Sequence, residues 1–294
     1  MSLTAMPLEQ HGLLAIQGPD SRRFLQGQCT ADVDSLSPGQ WIYGGFCTPK
    51  GRLYANFLLA CLADDHYWLI MPADMVQPTM ERLGKYAAFF KTELSDQTLA
   101  WHGLGLVEAV AGDPGPGTVD HDDRQVQLTL DDRRRMLWLN PLQEDHYERA
   151  LSRLEQQAQW QPSEFWALHD IRAGLVWVQP ATIESFLPQT LHWDELGGVS
   201  FSKGCYTGQE VVARLHYKGA SKKGLRHVQG QTTSAPGPLS RLHSPEGKAL
   251  GELASAVTTA DGWAGLAVLP FAHESSDLTI NEQAAEAGAW VRAD

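Results

Sequence analysis

Short apolar runs separated by turn residues dominate the first 70 residues of the chain. Runs of strand length predict four strands, at residues 13–16, 41–46, 53–61 and 67–71. A helix that carries Phe24 and Leu25 should follow the turn at 18–20, with Asp20 or Ser21 as its cap. This part of the chain is therefore predicted to be rich in strands, with one short helix.

Helices and strands alternate in the middle of the chain. A helix should open at residues 72–74, because apolar residues then recur at three- and four-residue steps, and Pro78 would have to lie in its first turn. Residues 103–110 predict a buried strand, and the Gly- and Pro-rich loop 111–117 follows it. The remaining predicted elements are a hairpin of residues 125–130 and 135–139, a helix entered at 140–141, and a helix that starts at 162–163 and stops at Gly174.

The helical signal fades after Gly224. Short strands follow, separated by turn residues at 236–238, 246–247 and 261–262. This pattern predicts an all-β module at the C-terminal end. The whole chain is therefore predicted to be a mixed α+β body followed by a β tail.

The charge of the chain is unevenly distributed. Its 23 Lys and Arg against 35 Asp and Glu give a formal net charge of −12, which argues against non-specific coating of nucleic acid or of an anionic membrane. Residues 203–226 nevertheless hold one acid, Glu210, and six basic residues, so this window carries +5 and the rest of the chain −17. The six are Lys203, Arg214, Lys218, Lys222, Lys223 and Arg226. The window is either an ordinary solvated surface or a site that attracts an anion.

Several classes of protein are disfavoured by what the sequence lacks. No apolar run approaches the roughly 18–20 residues that span a bilayer, and the first ten residues do not have the pattern of a secretory signal. The four cysteines form no Cys-x-x-Cys pair, so neither a disulfide framework nor a metal site is expected. We expect free thiols and a cytoplasmic location.

The segment 197–214 carries the strongest chemical signal. Residues 199–201 suit a short strand, and Thr207-x-x-Glu210 has the pattern of a capping box. A helix is therefore expected to begin at Gly208.

A cysteine precedes this predicted helix. Cys205 would lie near exposed backbone N–H groups and the positive end of the helix dipole, and Lys203 adds a cation two residues away; both favour a thiolate. Cys205 and Lys203 are therefore candidate catalytic residues. The alternative is that Cys205 is a small buried hydrophobe.

The YgfZ family has a signature that this chain resembles at Lys203-Gly204-Cys205-Tyr206-Thr207-Gly208-Gln209-Glu210. The similarity continues at residues 188–189, 196–201 and 212–214, and again at 24–33 near the start of the chain. It covers roughly the first three quarters of the chain, and the β tail agrees with the family only in architecture.

The resemblance implies an α+β fold. The expected architecture is the three-domain, ring-like one of the aminomethyltransferase (T-protein) of the glycine cleavage system, with a C-terminal β-barrel. The expected domains are a discontinuous folate-binding α+β domain (1–45 and 97–225), an inserted α+β subdomain (46–96) and the barrel (226–294).

The resemblance also implies a function. YgfZ-like proteins bind tetrahydrofolate or a derivative such as 5-formyl-tetrahydrofolate, and support the assembly or repair of iron–sulfur proteins, including enzymes that methylthiolate tRNA. Cys205 is the implied functional thiol. The implied folate contacts are Trp166, Lys203, Tyr206, Gln209, Glu210 and Arg214. A second tryptophan position of the family falls at or beside His11, and Trp166 has a core role as its alternative.

Three functions are compared. The first is an accessory protein, expected to be a cytoplasmic monomer whose partners are folate and iron–sulfur client enzymes such as tRNA methylthiotransferases, without stable nucleic-acid or membrane binding. The second is a folate-dependent aminomethyl or one-carbon transferase. The third is an RNA-binding protein, which the charge of −12 disfavours. Under the first two, five cations of the 203–226 window would attract the carboxylates of a folate's glutamate tail: Lys203, Arg214, Lys218, Lys222 and Lys223.

Overall fold

The computed structural model describes residues 3–107, 117–130, 134–219 and 221–291. The chain divides into two compact units, residues 1–44 with 57–166 and residues 45–56 with 167–294. The α-helices of the described residues are α1 (Ser21–Gln28), α2 (Ala73–Ala87), α3 (Glu144–Gln157), α4 (Glu164–Arg172) and α5 (Gln209–Lys218). The predicted α+β class is confirmed, whereas the predicted domain borders stay predictions.

A six-stranded sheet lies in the first unit. Its strands, in spatial order, are β11 (Ala158–Trp160), β1 (Leu3–Pro7), β7 (His102–Val107), β10 (Arg135–Leu139), β9 (Gln125–Thr129) and β8 (Val119–His121). The predicted hairpin is β9 with β10, and its pairing is antiparallel. Leu104, Leu139 and Leu154 of α3 belong to one buried cluster, so this amphipathic helix packs against the sheet. The loop predicted at 111–117 lies almost wholly outside the described residues.

A five-stranded sheet contains the strands predicted from the apolar runs. In spatial order it consists of β3 (Gln40–Cys47), β4 (Leu53–Ala63), β5 (His66–Pro72), β2 (His11–Gln17) and β6 (Glu93–Asp96). The sequence pattern missed β6, because this four-residue strand at the edge of the sheet contains one apolar residue, Leu94. The turn between β3 and β4 falls in residues 45–56, which cluster with the second unit.

Helix α2 departs from its predicted geometry. Pro78 is the sixth residue of Ala73–Ala87 and therefore lies beyond the first turn, so that part of the prediction is wrong. The helix persists because its apolar face is buried, with Met75, Val76 and Leu83 at most 1% exposed. Tertiary packing here outweighs the local cost of a proline within a helix.

Residues 24–33, the N-terminal segment that resembles the family, fix the end of α1. The side chain of Gln26 donates to Asp32 Oδ1 and accepts the backbone N–H of Val33, each at 2.8 Å. Asp20 occupies the N-cap position of α1 as predicted, but its carboxylate accepts the backbone N–H of Lys91 instead of capping the helix. This part of the family resemblance therefore has a structural role.

The second unit contains a closed β-barrel, which confirms the predicted β tail. Its strands, in spatial order, are β12 (Lys223–Gly230), β15 (Gly262–Pro270), β14 (Ala249–Thr259), β13 (Arg241–His243), β16 (Asp277–Ile280) and β17 (Gln283–Trp290). Closure leaves every strand paired on both sides. Among the residues that the structure describes, no helix has both the length and the apolar character needed to cross a membrane.

Arg226 is an internal part of this barrel. Its Nε donates to the carbonyl of Gly288 at 2.8 Å, and its Nη1 donates to the carbonyls of His273 and Ser275 at 3.0 Å each. The residue is 7% exposed, and burial lowers the pKa of its guanidinium. Arg226 therefore joins strands and loops, and its charge is not part of an exposed basic surface.

Candidate functional site

The segment before α5 is irregular. No strand forms at residues 199–201, so that prediction is wrong. The hydroxyl of Ser200 accepts the backbone N–H of Lys203 at 3.2 Å, and a local side-chain bond of this kind competes with pairing in a sheet. The chain then turns through residues 203–208, which we call the Cys205 corner.

Helix α5 starts without the predicted capping box. Gly208 is its N-cap residue, with a φ of +85°, and no side chain caps the helix. The left-handed conformation of Gly208 prevents the helix from starting one residue earlier, with Thr207 as its cap. The side-chain oxygen of Gln209 instead accepts the backbone N–H of Tyr206 at 3.4 Å, which ties the corner to the first turn.

The turn between β3 and β4 supports the start of α5. A Cβ built on Gly208 would overlap the carbonyl oxygen of Thr48 and lie 3.0 Å from Cβ of Cys47 and 3.1 Å from Cα of Gly51. Gly51 itself has a φ of +73°, and a Cβ built there would lie 2.9 Å from Cβ of Val211. Glycines on both sides therefore allow two backbones to meet. The sequence indicated the turn, but not the helix that it contacts.

Gln189 fixes the same helix from another direction. It is 8% exposed, and its side-chain amide donates to the carbonyl of Val212 at 2.8 Å. Val212 is fully buried, so this bond anchors α5 within the second unit. Gln189 was not among the predicted site residues, although residues 188–189 belong to the segment that resembles the family.

Cys205 projects from an anchored corner. Its side chain is exposed, whereas Lys203 and Tyr206 are 9% and 7% exposed. The ammonium of Lys203 lies 5.3 Å from the centre of the Tyr206 ring, in a cation–π contact. A Cβ built on the neighbouring Gly204 would meet no atom within 4 Å, so the space beside Gly204 is open. The alternative, that Cys205 is a small buried hydrophobe, is therefore wrong.

The accessibility of the four cysteines leads to a direct test. Cys29, Cys47 and Cys61 are buried and free, and burial raises the pKa of the Cys61 thiol. We expect a thiol-specific aromatic disulfide reagent to titrate one thiol per folded chain and four in denaturant. The Cys205→Ser variant should show no rapidly reacting thiol when folded. Rapid reaction of two or more thiols in the folded wild type would contradict this arrangement.

The exposed charge of the 203–226 window is smaller than its sequence total. Lys203 and Arg226 are buried, so their charges do not contribute to the exposed surface. The exposed cations are Arg214, Lys218, Lys222 and Lys223. With the exposed acid Glu210, the exposed charge of the window is +3. Of the predicted folate contacts on α5, Glu210 and Arg214 face solvent and Gln209 is half-buried.

Trp166 lies in the first unit and is 1% exposed. A Cβ built on Gly105 of β7 would lie 2.8 Å from Cζ3 of the indole, so the ring lies close against that glycine. His11 contacts Trp166 edge to face, with ring centres 6.3 Å apart. The structure thus brings together the two positions that the resemblance assigned to family tryptophans.

Arg134 completes this aromatic cluster and was not predicted from the sequence. It is 2% exposed, and its guanidinium carbon lies 4.5 Å from the centre of the Trp166 ring. A pteridine that stacked on this face of Trp166 would have to displace Arg134. In the sequence, Arg134 lies in a basic run at residues 133–135 that follows two aspartates. This pattern is typical of an ordinary turn, so it did not single out Arg134.

No metal-binding group is found in ranges 3–107, 117–130, 134–219 and 221–291: no three His, Cys, Asp or Glu side chains converge to hold an ion. The features that the described residues do show are an exposed thiol on an anchored corner and a buried aromatic cluster with a cation.

The fold places the chain in the class of aminomethyltransferase-like proteins. It is similar to the aminomethyltransferase T of the glycine cleavage system from Bartonella henselae, with a TM-score of 0.75 and 18% identity, over 98% of this chain and 85% of that one. Residues 5–111 match the family model described as the GCVT N-terminal domain. The predicted fold is therefore confirmed.

Sequence relatives define the family more narrowly. The chain is 33% identical to the tRNA-modifying protein YgfZ of Klebsiella pneumoniae, over 80% of this chain and 74% of the relative. It is 31% identical to the tRNA-modifying protein YgfZ of Photobacterium profundum, over 91% and 84% of the two chains. The chain belongs to the YgfZ family, as its signature indicated.

Proposed function

We propose that this protein is a folate-binding accessory factor that acts in tRNA modification. It supports the assembly or repair of iron–sulfur enzymes such as tRNA methylthiotransferases, and Cys205 is its functional thiol. Its cofactor is tetrahydrofolate or a derivative such as 5-formyl-tetrahydrofolate. Family membership supports the tRNA part of this proposal, since relatives are called tRNA-modifying proteins, and the aminomethyltransferase-like fold supports the folate part.

One observation carries the proposal: the signature cysteine is exposed at an anchored corner. Lys203, Tyr206 and Gly208 hold the corner against the protein, yet Cys205 faces solvent with free space above Gly204. A thiol presented in this way is accessible to a partner protein or ligand. Four free cysteines without a disulfide also fit a chain that works in the reducing cytoplasm.

Folate binding is tested by calorimetric titration with 5-formyl-tetrahydrofolate. Trp166→Ala is a poor probe, because removing a buried tryptophan costs about 3–5 kcal/mol of stability. Trp166→Phe keeps an aromatic core and should weaken folate binding by about two- to tenfold, since aromatic pairs contribute roughly 0.5–1.5 kcal/mol. The matched control is Trp160→Phe, because Trp160 is 41% exposed on the edge strand β11. Equal affinities of all three proteins would remove Trp166 from the folate site.

A folate-dependent aminomethyl transferase is the second candidate, because the fold match extends over 98% of the chain. Such an enzyme would turn over tetrahydrofolate with a lipoyl-carried aminomethyl donor. We expect the purified protein to bind folate without this turnover. Sustained product formation above a no-protein control would favour the transferase.

A further inference from the structure

The outward face of α5 combines an aromatic ring with cations. Tyr217 and Lys218 follow Arg214 by three and four residues, so the three residues lie on one side of the helix. Tyr217 is 67% exposed, although most large apolar side chains of the described residues are buried. We call Arg214, Tyr217 and Lys218 the α5 face.

Neighbouring rings hold Tyr217 in place. Phe201 and His216 stack in parallel, with ring centres 3.6 Å apart and an interplanar angle of 12°. Tyr217 meets them edge to face, at 6.2 Å from Phe201 and 4.9 Å from His216, and its hydroxyl donates to the carbonyl of Phe201 at 3.5 Å. The Tyr217 ring is therefore positioned by the protein while most of its surface faces solvent.

The cations on α5 and just beyond its end are exposed to solvent. Arg214 and Lys218 are exposed, as are Lys222 and Lys223 just beyond the helix. Within the described ranges none of these four residues makes an ion pair. An exposed, positioned aromatic ring among unpaired cations has the chemistry of a surface that stacks a base and contacts phosphates.

We propose that the α5 face binds a short unpaired segment of RNA, with a base stacked on Tyr217 and neighbouring phosphates at Arg214 and Lys218. This inference rests on the proposed role in tRNA modification. An acidic polypeptide would use the cations but leave the exposed ring without a role. The net charge of −12 does not oppose a short contact, because charges more than about 10 Å away are largely screened at 0.1 M salt. The contact is weak and sensitive to salt, unlike stable nucleic-acid binding.

The test measures fluorescence anisotropy of a labelled 12-nucleotide oligouridylate and of an unmodified tRNA transcript at about 0.1 M salt and over a series of higher salt concentrations. Tyr217→Ala should weaken binding of both RNAs by about 5- to 150-fold, the range expected for loss of one stacked base. Tyr217→Phe keeps the ring and should stay within about twofold of wild type. Lys218→Ala should lower the slope of log affinity against log salt by about 0.7, the value for one single-strand phosphate contact.

The matched control is Tyr86→Ala. Tyr86 is 47% exposed and, like Tyr217, lies beside a lysine near the end of a helix. It should leave RNA affinity unchanged. Equal RNA affinity of Tyr217→Ala and wild type, or binding of a decaglutamate peptide with the same dependence on Tyr217, would overturn the proposal. Folate titration of Tyr217→Ala should match wild type. If the wild type bound no folate in this titration, the proposed folate-binding function would be wrong, and the RNA result would still stand.

Discussion

Replacing Cys205 by serine is expected to abolish the support for iron–sulfur enzymes in cells that we propose for this protein. Serine keeps the size and hydrogen-bonding capacity of the side chain but removes the nucleophilic, metal-binding sulfur. Because Cys205 is exposed, the substitution leaves the packing of the corner intact. The measurement is the content of methylthiolated nucleosides in bulk tRNA, in a bacterial strain that lacks its own YgfZ-family protein. The variant should reach only the level of the empty vector, and wild type should restore the modification.

Two comparisons make this result specific to the thiol. Folate titration of Cys205→Ser should match wild type, which separates the thiol from cofactor binding. Ser202→Ala changes another exposed side chain three residues away and should restore the modification fully. Full restoration by Cys205→Ser would remove the thiol from the proposed function.

Gly208→Ala is expected to have the largest effect on stability at the site. The left-handed conformation costs a non-glycine residue about 1–2 kcal/mol, and the new Cβ would overlap the carbonyl oxygen of Thr48. Relief of that overlap must move backbone, which adds roughly 1–3 kcal/mol. We expect a loss of about 3 kcal/mol in the free energy of unfolding, measured by urea denaturation followed by circular dichroism. Cys47, which the new Cβ would approach, should become a second reactive thiol before the chain unfolds globally.

Gly204→Ala is the matched control on the same corner. Gly204 has no positive φ, and a Cβ built on it meets no atom within 4 Å. The substitution should change stability by less than about 0.5 kcal/mol and leave the thiol count at one. If Gly204→Ala and Gly208→Ala destabilised the protein equally, the packing of α5 on the β3–β4 turn would not be the reason for the glycine at 208.

Local sequence was sufficient where structure depends on neighbouring residues. The runs at 41–46 and 53–61 became β3 and β4 because apolar residues of strand length form buried strands. The β tail became the closed barrel, and the match from Lys203 to Glu210 identified the family. These predictions needed only residue type, spacing and chain order.

Other predictions failed where a distant segment decides the geometry. Thr207 and Glu210 have the spacing of a capping box, but Gly208 is held in a left-handed conformation where the turn carrying Thr48 packs against it. Pro78 stays inside α2 because the apolar face of that helix is buried. In both places long-range packing outweighs a local preference of about 1–3 kcal/mol.

The sequence by itself determined the fold class, the C-terminal β module, the family and the cysteine of the candidate site. Only the tertiary structure decided which side chains of the 203–226 window face solvent. It left Cys205 exposed between the buried Lys203 and Tyr206 and placed Arg226 inside the barrel. The reason is that exposure depends on contacts between segments far apart in the chain, such as those of Thr48 with Gly208 and of Gln189 with Val212, which residue spacing does not encode.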